Sequence, residues 1–288
     1  MGTGLRILLV VAVVVPLPGF AEPVRVTGDR IFVPVTVNGV ETEALLDSGA
    51  ELTLLDAGFA RQLGLTAEGR ELARGTGGVQ DVALVHGVDL TAVGTRLTDR
   101  TAAVLDLADI SRRLVGEPVM VVLGRELFDA GRFRLDIERG DLSRVSADQR
   151  AQGERLTLVD HAGIKQFPVI LDGVPVLADF DLGNGSEMLV GERFAAARGW
   201  LGADRAAGSK SGGGIGGPVV RDLVEVGTVS IGGVEIDGVV AAVDATAGAV
   251  DANIGVSLLR HFVLVIDFPA NRLWVDARAN AVKEGRAP

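Results

Sequence analysis

The segment Ala44-Leu45-Leu46-Asp47-Ser48-Gly49-Ala50 ends an apolar, strand-like run in a carboxylate, then a small hydroxyl residue, then glycine. The pattern returns in the second half of the chain as Ala178-Asp179-Phe180-Asp181-Leu182-Gly183. One such carboxylate would constrain little. Two copies, each near the start of a similar half-chain, call for a fold in which the halves face each other across an approximate two-fold axis, bringing Asp47 and Asp181 together. On a strand Asp179 shares a face with Asp181. Gly183 stands to Asp181 as Gly49 stands to Asp47, and this selects Asp181 as the partner.

The rest of the chain repeats in the same order. Ile31-Phe32-Val33-Pro34-Val35-Thr36-Val37 is β-branched and runs into Asn38-Gly39, a tight hairpin turn; Phe167-Pro168-Val169-Ile170-Leu171 runs into Asp172-Gly173 in the same way. Asp56 is placed to cap a short helix burying Phe59, Ala60 and Leu63 and ending at Gly64, and Arg193 to Gly199 parallels it. The glycines of Gly75-Thr76-Gly77-Gly78 recur in Gly212-Gly213-Gly214-Ile215-Gly216-Gly217. Leu123-Gly124 before a helical turn recurs as Ile254-Gly255, and Arg134-Leu135-Asp136-Ile137 as Val265-Ile266-Asp267-Phe268. The polar, aperiodic stretch from Ser146 to Glu154 reads as the linker. The expected organisation is a leader at 1–21, one β-rich lobe at 22–149 and a second at 150–288.

Composition limits the partners. The net charge of −10 disfavours nucleic acid and anionic membrane surfaces. Cysteine is absent, which excludes disulfides and thiolate zinc sites. His86, His161 and His261 lack ligand spacing, so neither a metal nor a cofactor is expected. No Gly-x-Ser-x-Gly elbow is present, which argues against a serine hydrolase. Gly212, Gly214 and Gly217 fit a dinucleotide fingerprint by spacing, but Pro218 and strand-like Val219-Val220 follow where a helix must start. At the N-terminus Arg6, the apolar run Ile7 to Val15 and the small residues Gly19 and Ala21 have the order of an export signal cleaved before Glu22. This predicts a bacterial periplasmic or secreted protein with no membrane span once the signal is gone.

On these motifs each half resembles a lobe of the retropepsin-like and pepsin-like aspartic proteases, as if two retroviral-type subunits were fused. The resemblance implies an all-β fold of two tandem retropepsin-like lobes related by a pseudo-two-fold axis, with short helices. It implies an endopeptidase in which Asp47 and Asp181 share a proton and activate water against an extended peptide or protein substrate. Ser48, Gly49 and Gly183 would support the loops. Gly77, Gly78, Gly214, Ile215 and Gly216 would form flaps over the substrate. A monomer is expected.

The second motif departs from the pattern. Leu182 replaces the hydroxyl residue expected to bond across the axis, and Asn184-Gly185 adds a residue after Gly183. Two alternatives follow: an inactive relative that binds extended peptides, and a homodimer in which Asp47 of each chain forms the pair.

Overall fold

The computed structural model describes residues 22–279; the expected leader at 1–21 lies outside the described residues. Three β-sheets make up the fold. An eight-stranded sheet is drawn from the first half, between Arg25–Thr27 and Val121–Leu123, and a ten-stranded sheet from the second, between Val159–His161 and Ala252–Ile254. The third sheet has six strands taken from both halves. Among the described residues no helix is long and apolar enough to cross a membrane.

Each carboxylate loop is delivered by the same local logic. Strand Arg30–Val37 turns back through Asn38 (φ 47°) and Gly39 (φ 84°) into Val40–Leu46; strand Ile164–Leu171 turns back through Asp172 (φ 46°) and Gly173 (φ 78°) into Val174–Phe180. A two-residue hairpin of the primed type needs positive φ at both centres, which Asn-Gly and Asp-Gly provide at low cost. Each returning strand then pairs in parallel with a short apolar strand late in its half, Leu45 beside Val122 and Asp179 beside Asn253. The ladder continues into the loops themselves: Asp47 N donates to Leu123 O at 2.9 Å, and Asp181 N to Ile254 O at 3.1 Å.

Helix Ala57–Gln62 begins at Asp56, whose side chain accepts from Gly58 N and Phe59 N, and it buries Phe59 and Ala60. Helix Glu192–Ala197 repeats it and buries Phe194 and Ala195. The segment expected as a helix start at Asp106 to Asp109 gives one turn, Ala108–Ile110, continuing as a π-helical turn over Ser111–Val115 that Gly116 ends at φ 82°.

The lobes are joined through the six-stranded sheet. Closing strand Arg132–Asp136 of the first half pairs antiparallel with Phe262–Asp267 of the second, Leu135 opposite Leu264. Glu22–Pro23 and Glu154–Thr157 form its two edges. Against this sheet lies a run of rings in edge or tilted contact: Phe133, Phe128, Phe268, Phe180 and Phe167, with successive centroids 5.4 to 6.1 Å apart. Phe180 immediately precedes Asp181, so this shared aromatic core reaches the base of the second carboxylate loop. Close-packed interiors of this kind resist relative movement of the elements they join.

Two long hairpins each contain one strand that was not legible, Glu68–Gly75 in the first and Ala206–Gly214 in the second. Glu68–Gly75 with Gly78–Ala92, and Ala206–Gly214 with Gly217–Glu225, project from the two lobe sheets. Their tip-ward strands are exposed along most of their length, so neither face is selected for apolar residues and the period-two signal is missing.

Candidate active site

The loops carrying Asp47 and Asp181 face each other within one chain. A methyl group built on Gly49 would lie 3.2 Å from Asp181 Oδ1 and 3.3 Å from Asp47 Oδ1, so both carboxylates border one point. A methyl on Gly183 would stand 2.5 Å from both carboxylate oxygens of Asp47. That is well inside contact distance, so position 183 admits only glycine while Asp47 holds its place.

Each carboxylate is clamped by its own loop. Asp47 Oδ1 accepts from Gly49 N (2.8 Å) and Ala50 N (3.0 Å). Asp181 Oδ1 accepts from Gly183 N (2.9 Å) and Asn184 N (3.1 Å). The loops therefore match through Asn184, and the extra residue of the second half falls beyond it: Ala50 O receives Arg125 N just as Asn184 O receives Val256 N. The residue that Asn184-Gly185 adds therefore leaves the second carboxylate loop matched to the first.

Ser48 spans the axis in both directions. Its Oγ donates to Phe180 O and accepts from Leu182 N, each at 2.9 Å, and the side chain is fully buried. Leu182 has no hydroxyl to return these bonds; its side chain is fully buried in the main apolar core. One hydroxyl thus does on one side what two would do in a symmetric pair.

The electrostatics follow from burial. Desolvation, with the Asp181 charge next, pushes the Asp47 carboxyl up to about 7, against the opposing N–H groups of Gly49 and Ala50 and the Arg30 guanidinium. Two partners that reading the motifs alone missed complete the site. Asn253 Nδ2 donates to Asp181 Oδ2 at 2.8 Å and is itself held by Asn184 Nδ2 at 2.9 Å. Arg30 donates to Gly183 O across the lobe boundary. The signal for Asn253 was present, since it breaks an apolar strand where the first half has Val122. Arg30, on a strand read only for its β-branched residues, left no comparable signal.

The tips of the two flaps meet each other. Gly77 N donates to Ile215 O at 3.0 Å, Gly216 N to Gln80 Oε1 at 3.4 Å, and Arg113 Nη1 to Gly212 O at 2.8 Å; Arg221 reaches Thr76 O. A methyl on Gly75 would fall 2.7 Å from Ile215 Cβ, and one on Gly214 2.7 Å from Thr76 Oγ1. Gly78 (φ 127°) and Gly216 (φ 94°) hold the tip turns. The ten residues singled out from the sequence therefore fall in two places, five at the carboxylate loops and five at the flap tips. A shallow hollow of about 610 Å³ lined by Thr36, Asn38, Asp89 and Asp99 touches neither group.

Comparison with known proteins agrees with this architecture. Residues 33–127, which include the first carboxylate loop and the first flap, match the family model described as aspartyl protease. No curated protein sequence matches the chain. Among solved structures the chain is similar to basic 7S globulin from soybean, with a TM-score of 0.52 at 9% identity over 91% of this chain and 95% of that one. At that identity the likeness concerns the fold alone, and it extends over both halves.

Proposed function

We propose that the chain is an aspartic endopeptidase that hydrolyses extended peptide segments, with Asp47 and Asp181 as its catalytic pair. The observation that supports this best is that two carboxylates border one point, each in a loop clamped by its own N–H groups. In this reading the lobes at 22–149 and 150–288 each supply half of the site. The protein acts as a monomer in the bacterial periplasm or outside the cell, after losing residues 1–21.

Two carboxylates this close share one proton. Three N–H donors converge on Asp181 and two on Asp47, so negative charge is better placed on Asp181 and the proton rests on Asp47. A water between them gives a proton to Asp181 as its oxygen attacks the scissile carbonyl carbon. Asp47 donates its proton to the carbonyl oxygen, forming a neutral gem-diol. Asp181 then passes its proton to the departing nitrogen, Asp47 recovers one from a diol hydroxyl, and the C–N bond breaks. The flaps exclude bulk water and hold the substrate by backbone hydrogen bonds, which suits segments with no structure of their own.

Leu182 supports a second reading, in which the cleft binds extended peptides without hydrolysing them. The test is cleavage of a labelled, unfolded protein from acid to neutral pH by the parent chain, Asp47→Asn and Asp181→Asn. The peptidase reading requires a bell-shaped rate for the parent and its loss in both variants. Activity retained in Asp181→Asn would favour pairing of Asp47 with another chain's Asp47. Binding without cleavage at any pH would favour the second reading.

A further inference from the structure

Beneath the flaps the two lobes carry opposite chemistry at equivalent positions. In the first lobe Phe32, Leu45, Leu54, Val82, Leu105 and Val122 belong to an apolar cluster separate from the main core. Ile215, from the tip of the other lobe's flap, packs on it. This face therefore looks into the cleft.

Strand pairing fixes the counterparts in the second lobe. Phe32 sits opposite Leu45 as Gln166 sits opposite Asp179. Val122 lies between Leu45 and Leu54 as Asn253 lies between Asp179 and Leu189. Leu105 pairs with Asp56 as Asp244 pairs with Gly191. Leu84 pairs with Ala103 as Leu223 pairs with Ala242, which sets Val82 against Arg221 two residues earlier on each flap. Five apolar residues are thus replaced by Gln166, Asp179, Arg221, Asp244 and Asn253, and each of these is less than one-tenth exposed.

Buried polar groups are costly unless paired, so the pairing shows where an occupant belongs. Arg221 is already committed, lying 3.7 Å from Asp244 and donating to Thr76 O of the opposite flap. Asp179 accepts from Gln166 Nε2 at 2.8 Å. Among the described residues no cationic nitrogen lies within ion-pair distance of it, although it is only 5% exposed. It shares a strand face with Asp181, and its neighbour Asn253 is bonded to that residue.

We infer that these polar side chains line the side-chain subsite on the Asp181 side of the scissile bond and that it selects a lysine or arginine, whose cationic head pairs with Asp179. The inference rests on the endopeptidase reading for its substrate and assigns that substrate's class: a cationic residue adjoining a hydrophobic one, which the apolar cluster of the first lobe receives. An apolar side chain in that subsite would leave Asp179 and Asn253 facing hydrocarbon, a strong basis for rejection.

The test is binding of short extended peptides containing Leu beside Lys, in both orders, against the same peptides with norleucine for Lys. Fluorescence anisotropy reads affinity for the parent, Asp179→Asn and Asp179→Leu chains, at a pH well above the value of about 6 to which burial raises the Asp179 carboxyl. Mass spectrometry follows hydrolysis in the same samples. Asp179→Asn keeps the side-chain volume, and a melting curve establishes that each variant is folded. The parent should bind the Lys peptide in one order about tenfold or more tighter than its norleucine analogue. Asp179→Asn should lose that preference and Asp179→Leu should reverse it. Equal affinities in the parent, or a preference that survives in Asp179→Asn, overturn the subsite. Lys preference without hydrolysis keeps the subsite and removes the peptidase; hydrolysis without Lys preference does the opposite. Failure of every peptide to bind removes both.

Discussion

Replacing Ser48 with alanine should loosen the junction of the two lobes more than any other loss of one oxygen atom at the carboxylate loops. The hydroxyl donates to Phe180 O and accepts from Leu182 N, both at 2.9 Å. Ser48, Phe180 and Leu182 are all fully buried, so water cannot take its place without opening the core. Ser48→Ala leaves a carbonyl and an N–H unpaired, each at about 1–3 kcal/mol, for a total of about 4 kcal/mol. Against a typical stability of about 5–15 kcal/mol this is a large fraction. Because Leu182 makes no reciprocal bond, no second hydroxyl shares the load. Equilibrium unfolding in urea, followed by far-UV circular dichroism and tryptophan fluorescence, reads the change. The midpoint should fall by about 1–2 M with the slope unchanged. Ser48→Thr, which keeps the hydroxyl, should lose much less. A midpoint shift below about 0.3 M for the alanine variant, or equal damage from threonine, would refute the reasoning.

Two further outcomes follow from the same site. Burial and Asp181 raise Asp47 to about 7 in the folded chain, above its unfolded value of about 3.9, so the folded state holds the proton more tightly between these values. The contribution of Asp47 to stability should therefore be fully present below its unfolded value and be lost as pH rises through about 7. Asp47→Asn should remove most of that slope in a series of melts against pH, and an unchanged slope would contradict the burial argument. Gly183→Ala places a methyl 2.5 Å from both Asp47 oxygens. It should cut hydrolysis about a hundredfold while peptide binding at the flaps changes less, as kinetics set beside anisotropy would reveal.

Much of this architecture could be read from residue patterns, because repetition supplied what single motifs lacked. The loops at Asp47 and Asp181, the turns at Asn38-Gly39 and Asp172-Gly173, and the capped helix after Asp56 each rest on local chemistry that either half states for itself. The flap strands did not, since Glu68–Gly75 and Ala206–Gly214 are exposed on both faces and carry no periodicity. The six-stranded sheet was hidden for another reason. Its central pairing, Arg132–Asp136 with Phe262–Asp267, is long-range, and nothing in either strand alone names its partner. At the site, Ser48 was legible because a motif placed it. Asn253 reaches Asp181, and Arg30 the Gly183 carbonyl, from other strands; Asn253 left a trace as a break in an apolar strand, whereas the Arg30 contact becomes visible only when the register is known.

The contrast between Phe32, Leu45 and Val122 in one lobe and Gln166, Asp179 and Asn253 in the other bears on direction. Two identical half-sites would offer a chain lying across them the same surroundings whichever way it ran, so the forward and reversed settings would be degenerate. With both halves on one polypeptide, each can change independently of the other. The cleft then has a head and a tail, and a strand laid in it the wrong way round meets mismatched walls on both sides of Asp47 and Asp181.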